Sequence, residues 1–185
     1  YDAIIATKKF YISAEDADNP DFVTLEPEML NEYNIALNTY KKGVCMHPIF
    51  QTVCKDEPQS DSAFKKGKVR LFQCAPMIHT IICKQYTGSL VKVIQDNCIL
   101  FETAVGTNHA SEDWMYFYKY LNFSDTMING DFSGYDLNMP LSVLYYAFVV
   151  LEKLLIKSGY NEEDMRVVKN IFADTIYHIN NVEGD

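Results

Sequence analysis

"NGDFSGYDLNMP", residues 129–140, is the stretch that decides the fold. It sets two aspartates, Asp131 and Asp136, five positions apart around a small-residue turn and ends in Pro140. Just before it, "TMINGDF" (126–132) is predicted to be a short buried strand ending at the first aspartate. Just after it, "PLSVLYYAFVVLEKLLIKSG" (140–159) is predicted helical. Pro140 takes the first position, Leu144, Phe148, Leu151 and Leu155 line one face, and Gly159 stops the helix. A strand-tip carboxylate is held rigidly, as a metal ligand must be. Mg²⁺ takes one or two carboxylates, keeps several waters and bridges to substrate phosphates. Gly134 frees the turn and lets a ligand come close. Asp136 is better placed to accept hydrogen bonds from a substrate hydroxyl than to share the metal. The plainer reading of the same residues is an Asx-type turn capping the following helix.

The rest of the chain alternates helices with a few strands. "NEEDMRVVKNIFADTIYHI" (161–179) reads as a helix with Asn161 as cap and Met165, Val168, Ile171, Phe172 and Ile176 as its apolar face. "LEPEMLNEYNIALNTYKKG" (25–43) reads as another, with Pro27 in the first turn and Gly43 as its end. "PMIHTIICKQYTGSLVKVI" (76–94) is a third, opened by Pro76. In "TAVGTNHASEDWMYFYKYLN" a glycine loop precedes an aromatic helix at about 111–121, opening at Ser111 with Glu112 and Asp113 in its first turn. Residues 47–57 are extended, "EPQSDS" (57–62) is a turn, and "KVRLFQC" (68–74) is a strand. Residues 1–24 are irregular, with "SAEDADNPDF" as a loop. The fold class is α+β.

Composition bounds the function. With 48% hydrophobic and 14% aromatic residues, the 185-residue chain carries enough apolar material for a sizeable core. A net charge of -9 argues against a uniformly basic nucleic-acid binder. The five cysteines are odd in number and form no CxxC pair, so reduced, buried thiols are expected. Cys45, His47 and Cys54 lack a fourth zinc ligand at a familiar spacing. No apolar run approaches the ~18 residues of a membrane helix, and the first residues do not have the order of a secretory signal. The missing initiator methionine and the abrupt end suggest a piece of something longer.

Charge is uneven. No acid occurs between Asp61 and Asp96, a window that holds Lys65, Lys66, Lys68, Arg70, Lys84 and Lys92. Such a window is either a solvated face or a local electropositive surface for an anion. Lys55, Lys68 and Arg70 suit a triphosphate: lysine offers a mobile point charge and arginine a planar fork that also stacks on a base. Lys68 and Arg70, two apart on the predicted strand, share a face, and Val69 is expected to point into the core.

Four blocks stand in order: "KDE" (55–57), "GKVRL" (67–71), "TAVGTNHASEDW" (103–114) and "GDFSGYDLNMP" (130–140). Together they resemble the RNA-dependent RNA polymerases of picornavirus-like positive-strand RNA viruses, over about 45–160 and in outline to 185. The resemblance implies a partial right-hand polymerase: fingers over 1–124, with the basic fingertip motif at 55–71, then the N-terminal part of the palm over 125–185. It implies template-directed nucleotidyl transfer with Mg²⁺ (or Mn²⁺). Asp131 matches the palm aspartate that binds the catalytic ions. Asp136 matches the aspartate that recognises the ribose 2′-hydroxyl, and this argues against a reverse transcriptase. Lys55, Lys68 and Arg70 match basic residues facing the triphosphate and base. The family often has arginine where Gln59 stands; Lys65 or Lys66 are candidates to substitute, and with Gly106 they fall near template RNA. His109 and Trp114 read as packing or surface residues. The later palm motifs, a Ser-Gly segment and a Gly-Asp-Asp hairpin, are expected beyond residue 185, and "VEGD" is not that hairpin. Implied partners are RNA template and primer, ribonucleoside triphosphates and other viral replication proteins of the same polyprotein. The implied location is host cytoplasm at membrane-associated replication complexes. The competing reading is a non-catalytic helical interaction module with a local basic surface.

Overall fold

The computed structural model describes residues 12–14, 23–58, 60–67, 69–108 and 110–182. In chain order the elements are β1 (Ile12–Ala14), β2 (Val23–Leu25), α1 (Pro27–Lys41), β3 (Ile49–Cys54), α2 (Asp61–Lys65), β4 (Leu71–Cys74), α3 (Met77–Asp96), α4 (Asp113–Leu121), α5 (Tyr135–Asn138), α6 (Leu141–Lys157), α7 (Glu162–Ile176) and β5 (Ile179–Val182). This is a mixed α and β chain, as its sequence implies. It divides into two compact units, one of residues 1–84 with 162–185 and one of 85–161.

The first unit is built on α1 packed against α7. Among the described residues its buried apolar side chains are Met29, Ala36, Tyr40, Phe50, Ile82, Met165, Val167, Val168 and Ile171. The buried stripe of α7 is wider than the predicted one, because Val167 and Asp174 join it. The end of α1 closes as its glycine suggests: Gly43 N–H donates to Tyr40 O and Val44 N–H to Thr39 O, the two bonds of a Schellman cap. Arg166 Nε donates to Lys41 O at 3.1 Å, so α7 also satisfies a terminal carbonyl of α1. A three-stranded sheet, ordered β4-β3-β5, completes the unit, with β4 antiparallel and β5 parallel to β3.

Several expectations need correction here. β1 and β2 form a small antiparallel ladder inside the stretch read as irregular; the remainder of the "SAEDADNPDF" loop, 15–22, lies outside the described residues. Asp61 and Ser62 start α2 rather than finish a turn, with Asp61 in the first turn, where a negative charge suits the helix dipole. β4 begins only at Leu71, and Val69 is 54% exposed rather than in the core. β5 was hidden, because "INNV" alternates no apolar pattern and gains its place by pairing with β3. Cys54 and Cys74, expected buried, are exposed on the sheet.

The second unit holds the rest of α3, then α4, α5 and α6. The predicted face of α6 is right: Leu144, Phe148 and Leu151 are half-buried and Leu155 is buried. Pro140 is the residue before the first turn rather than its first member. Tyr160 N–H to Leu155 O and Gly159 N–H to Ile156 O close the helix. α4 starts at Asp113, two residues later than expected, with Ser111 Oγ accepting from Asp113 N–H. None of its residues is buried: Trp114, Met115, Tyr116, Tyr118 and Leu121 all remain exposed. The strand predicted for 126–132 does not form. Those residues are irregular, with Met127, Ile128 and Phe132 at 66%, 97% and 77% exposure. A strand is stabilised by pairing and by packing on one face, and among the described residues this segment pairs with no other strand.

Candidate functional site

In the first unit, the β3–β4 ladder brings two of the basic candidates together. Cys54 faces Leu71 in the register, and one step further Lys55 N–H donates to Arg70 O at 2.8 Å. Lys55 and Arg70 thus stand opposite each other where the two strands part. Like charges facing each other across a ladder repel. Glu57, two residues on from Lys55, supplies the counter-charge: Lys55 Nζ lies 2.9 Å from its Oε2. Arg70 Nη1 lies 3.2 Å from Oε1 and 3.3 Å from Oε2. The hydrogen bond from Lys55 and the charge of Arg70 hold the Glu57 carboxyl below the usual carboxylate range. Lys65 and Lys66 are exposed at and just past the end of α2. Lys68 and Gln59 lie outside the described residues.

In the second unit, Asp131 is exposed on the irregular segment rather than at a strand tip. The turn behind it is as expected: Gly134 is left-handed at φ 60° and leads directly into α5. A Cβ at that position would sit 3.0 Å from Asn138 Nδ2, which itself donates to Ser133 O. Phe132 and Tyr135 flank the turn with ring centres 5.5 Å apart. Asp136 belongs to α5, two residues past Gly134. Gly106 is also left-handed, at φ 84°, and lies against the Gln95 side chain of α3. His109 lies outside the described residues, and Trp114 is half exposed and packs by Phe117.

The first unit also contains a polar cluster that the sequence reading missed. Asp174, 1% exposed, accepts from the Tyr40 hydroxyl and Met46 N–H, both at 2.8 Å, and from His47 N–H at 3.2 Å. His79 bridges Tyr40 Oη and Thr175 Oγ1, each at 3.1 Å. Burial, then the Asp174 carboxylate, raise the pKa of the Tyr40 hydroxyl, so it stays a donor. The cluster fastens α1, the 44–48 loop and α3 to α7. An aspartate in an otherwise apolar helix stripe was its only signal in the sequence. A cavity of about 290 Å³ lies beside it, lined by Ile35, Ala36, Met46, Pro48, Pro76 and Ile78 together with Glu32, Tyr40 and His79.

A sequence model described as viral RNA-dependent RNA polymerase matches residues 17–182. The chain belongs to the viral RNA-dependent RNA polymerase family. It is 31% identical over 107 residues to the replicase polyprotein of Drosophila C virus, covering 57% of this chain and 6% of that protein. It is 29% identical over 150 residues to the RNA1 polyprotein of beet ringspot virus, covering 80% of this chain and 7% of that protein. With the RNA1 polyprotein of tomato ringspot virus it shares 33% identity over 123 residues, 64% of this chain and 5% of that protein. The chain therefore spans only a small fraction of the polyproteins it matches.

Polymerases of this family use divalent metal ions. Among the described residues, no three His, Cys, Asp or Glu side chains gather where such an ion could sit. Asp131 stands as one carboxylate, which fits a single contribution to a Mg²⁺ site and is too few to hold the ion unaided. Among the described residues no helix is long and apolar enough to cross a membrane.

Proposed function

We propose that this chain is the fingers region (1–124) and the start of the palm (125–185) of a viral RNA-directed RNA polymerase. The reaction is template-directed transfer of nucleotides from ribonucleoside triphosphates onto an RNA primer, for genome replication at membrane-associated complexes in the host cytoplasm. The observation that carries this reading is the meeting of Lys55 and Arg70 at the mouth of one hairpin. Two cations on one carboxylate leave a net positive centre, which fits a polyphosphate. Lys68 is assigned to the same triphosphate on its motif position alone, and Lys65, Lys66 and Gly106 are assigned to the vicinity of the template in the same way. Positioning and charge stabilisation supply most of the catalysis in phosphoryl-type transfer, so the role of these residues is to hold phosphate charge in place. Asp131 contributes one ligand to a Mg²⁺ or Mn²⁺ ion, which when bound neutralises charge on the phosphates. Asp136 reads the ribose 2′-hydroxyl. Other products of the same polyprotein are the expected partners.

The test is primer extension. In the polymerase that contains this chain, Asp131→Asn abolishes extension while leaving the thermal midpoint unchanged, since Asp131 is exposed. The 185-residue chain alone extends nothing. Wild-type-like extension by the Asn variant, or extension by the isolated chain, overturns the corresponding assignment.

A further inference from the structure

Glu57 is an acid in the middle of a site that has to bind an anion. By charge alone it should weaken that site, because it competes with phosphate for the same two cations. Its geometry says otherwise. Of the three side chains, the carboxylate is the least exposed: 24% for Glu57, against 45% for Lys55 and 70% for Arg70. The acid is the least accessible of the three groups and the cations are the more open to solvent. Its contact with Arg70 uses Nη1 alone, bifurcated over both oxygens. Glu57 therefore does not occupy the Nε–Nη2 edge with which a guanidinium meets a phosphate in a two-pronged way. Register adds the reason such an acid is needed. Lys55 and Arg70 face each other across the parting strands, and without a counter-ion their mutual repulsion turns two long, flexible side chains apart.

We infer that Glu57 is a positioning residue, which holds Lys55 and Arg70 side by side as a preformed receptor for the triphosphate of the incoming nucleotide. The inference rests on the assignment of Lys55 and Arg70 to the triphosphate. Its consequence is opposite in sign to simple electrostatics. Neutralising Glu57 raises the local charge by one, which on a purely Coulombic view tightens phosphate binding. If Glu57 positions the pair, binding weakens instead, because two side chains must then be ordered by the ligand.

The experiment is steady-state primer extension by the polymerase that contains this chain, with Glu57→Gln, Glu57→Asp, Lys55→Ala and Arg70→Ala. Glu57→Gln is expected to raise the nucleotide KM about five- to tenfold with kcat changed by less than about twofold, the pattern of lost binding rather than lost chemistry. Glu57→Asp, which keeps the charge on a shorter stem, recovers part of the affinity. The thermal midpoint stays put in both, because the site is at the surface. An unchanged or lowered KM in Glu57→Gln, while Lys55→Ala and Arg70→Ala raise it, overturns the positioning role and leaves the triphosphate assignment standing. No effect of Lys55→Ala or Arg70→Ala on KM overturns the assignment itself, and the role of Glu57 with it.

Discussion

The Tyr40 hydroxyl donates to Asp174 Oδ2 at 2.8 Å across 134 positions of sequence, with both residues 1% exposed. The bond joins the last turn of α1 to the last turn of α7, and Asp174 also accepts two backbone N–H groups of the 44–48 loop. A buried carboxylate is tolerated only when its oxygens are filled. Removing it strands the donors that filled it. Asp174→Ala is expected to destabilise the protein by about 3 kcal/mol or more, since each orphaned buried donor costs roughly 1–3 kcal/mol. Tyr40→Phe leaves the two backbone donors in place and should cost only about 1–2 kcal/mol. Urea unfolding of both variants and of the double variant measures this. Strictly additive losses would show that the two side chains are not coupled.

His79 makes this cluster sensitive to pH. Tyr40 spends its proton on Asp174 and Thr175 spends its own on Ile171 O, so both oxygens facing the His79 ring act as acceptors, and the neutral ring, with one N–H, donates to one of them at a time. Burial lowers the pKa of His79 below its ordinary 6.5; the Asp174 charge opposes this, and His178 adds to the lowering. The unfolded chain then binds a proton at a pH where the folded chain does not. Stability is complete above about pH 6.5, falls as the pH drops below it, and levels off below the folded-state value. Urea midpoints at pH 7.5 and 5.5 should fall more for the wild type than for His79→Gln, which does not titrate there. Parallel pH curves for the two proteins would remove His79 from the explanation.

The helices were the legible part of the chain. Leu144, Phe148, Leu151 and Leu155 recur at helical spacing, and Pro27, Gly43, Pro76 and Gly159 punctuate the helix ends, so periodicity and local stereochemistry located α1, α3, α6 and α7. The strands were less so. β5 owes its existence to β3, 130 positions away at Gln51 and Asn181, and no local pattern encodes such a partner. The reverse error occurred at 126–132, where Met127 and Ile128 satisfy the local pattern of a strand but pair with nothing among the described residues. At the candidate site, motif order pointed to Lys55 and Arg70. It did not reveal Glu57 between them, because the sharing of one carboxylate depends on the register of the hairpin.

Two glycines predict opposite signs for the same substitution. Gly106 has φ 84°, and a Cβ there would lie 2.7 Å from Gln95 Nε2 and 2.8 Å from Gln95 Cδ. Gln95 can swing aside, so the backbone conformation sets most of the cost, and Gly106→Ala should destabilise by about 1–2 kcal/mol. Gly88 lies inside α3 with nothing within 4 Å of an added Cβ. Gly88→Ala should stabilise by about 0.5–1 kcal/mol, the usual helix-interior preference for alanine. Thermal midpoints that move in the same direction for both would contradict the assigned backbone conformations.

Asp136 gives the sharpest functional prediction, because its proposed role separates from that of Asp131 by substrate rather than by rate. Gly134 turns the chain in the left-handed region and α5 begins at once, so Asp131 and Asp136 lie on opposite sides of that turn. If Asp136 accepts a hydrogen bond from the ribose 2′-hydroxyl, the bond exists only with ribonucleotides. A site built to bond a hydroxyl rejects the analogue lacking it, because the polar group is left unpaired. In the polymerase that contains this chain, Asp136→Ala should therefore lower kcat/KM for ribonucleotides by about tenfold, the equivalent of one lost hydrogen bond to a charged group. It should leave deoxynucleotide incorporation nearly unchanged. Asp131→Ala should abolish both. An equal loss for both sugars in Asp136→Ala would place that carboxylate with the metal or with the turn, and not with the ribose.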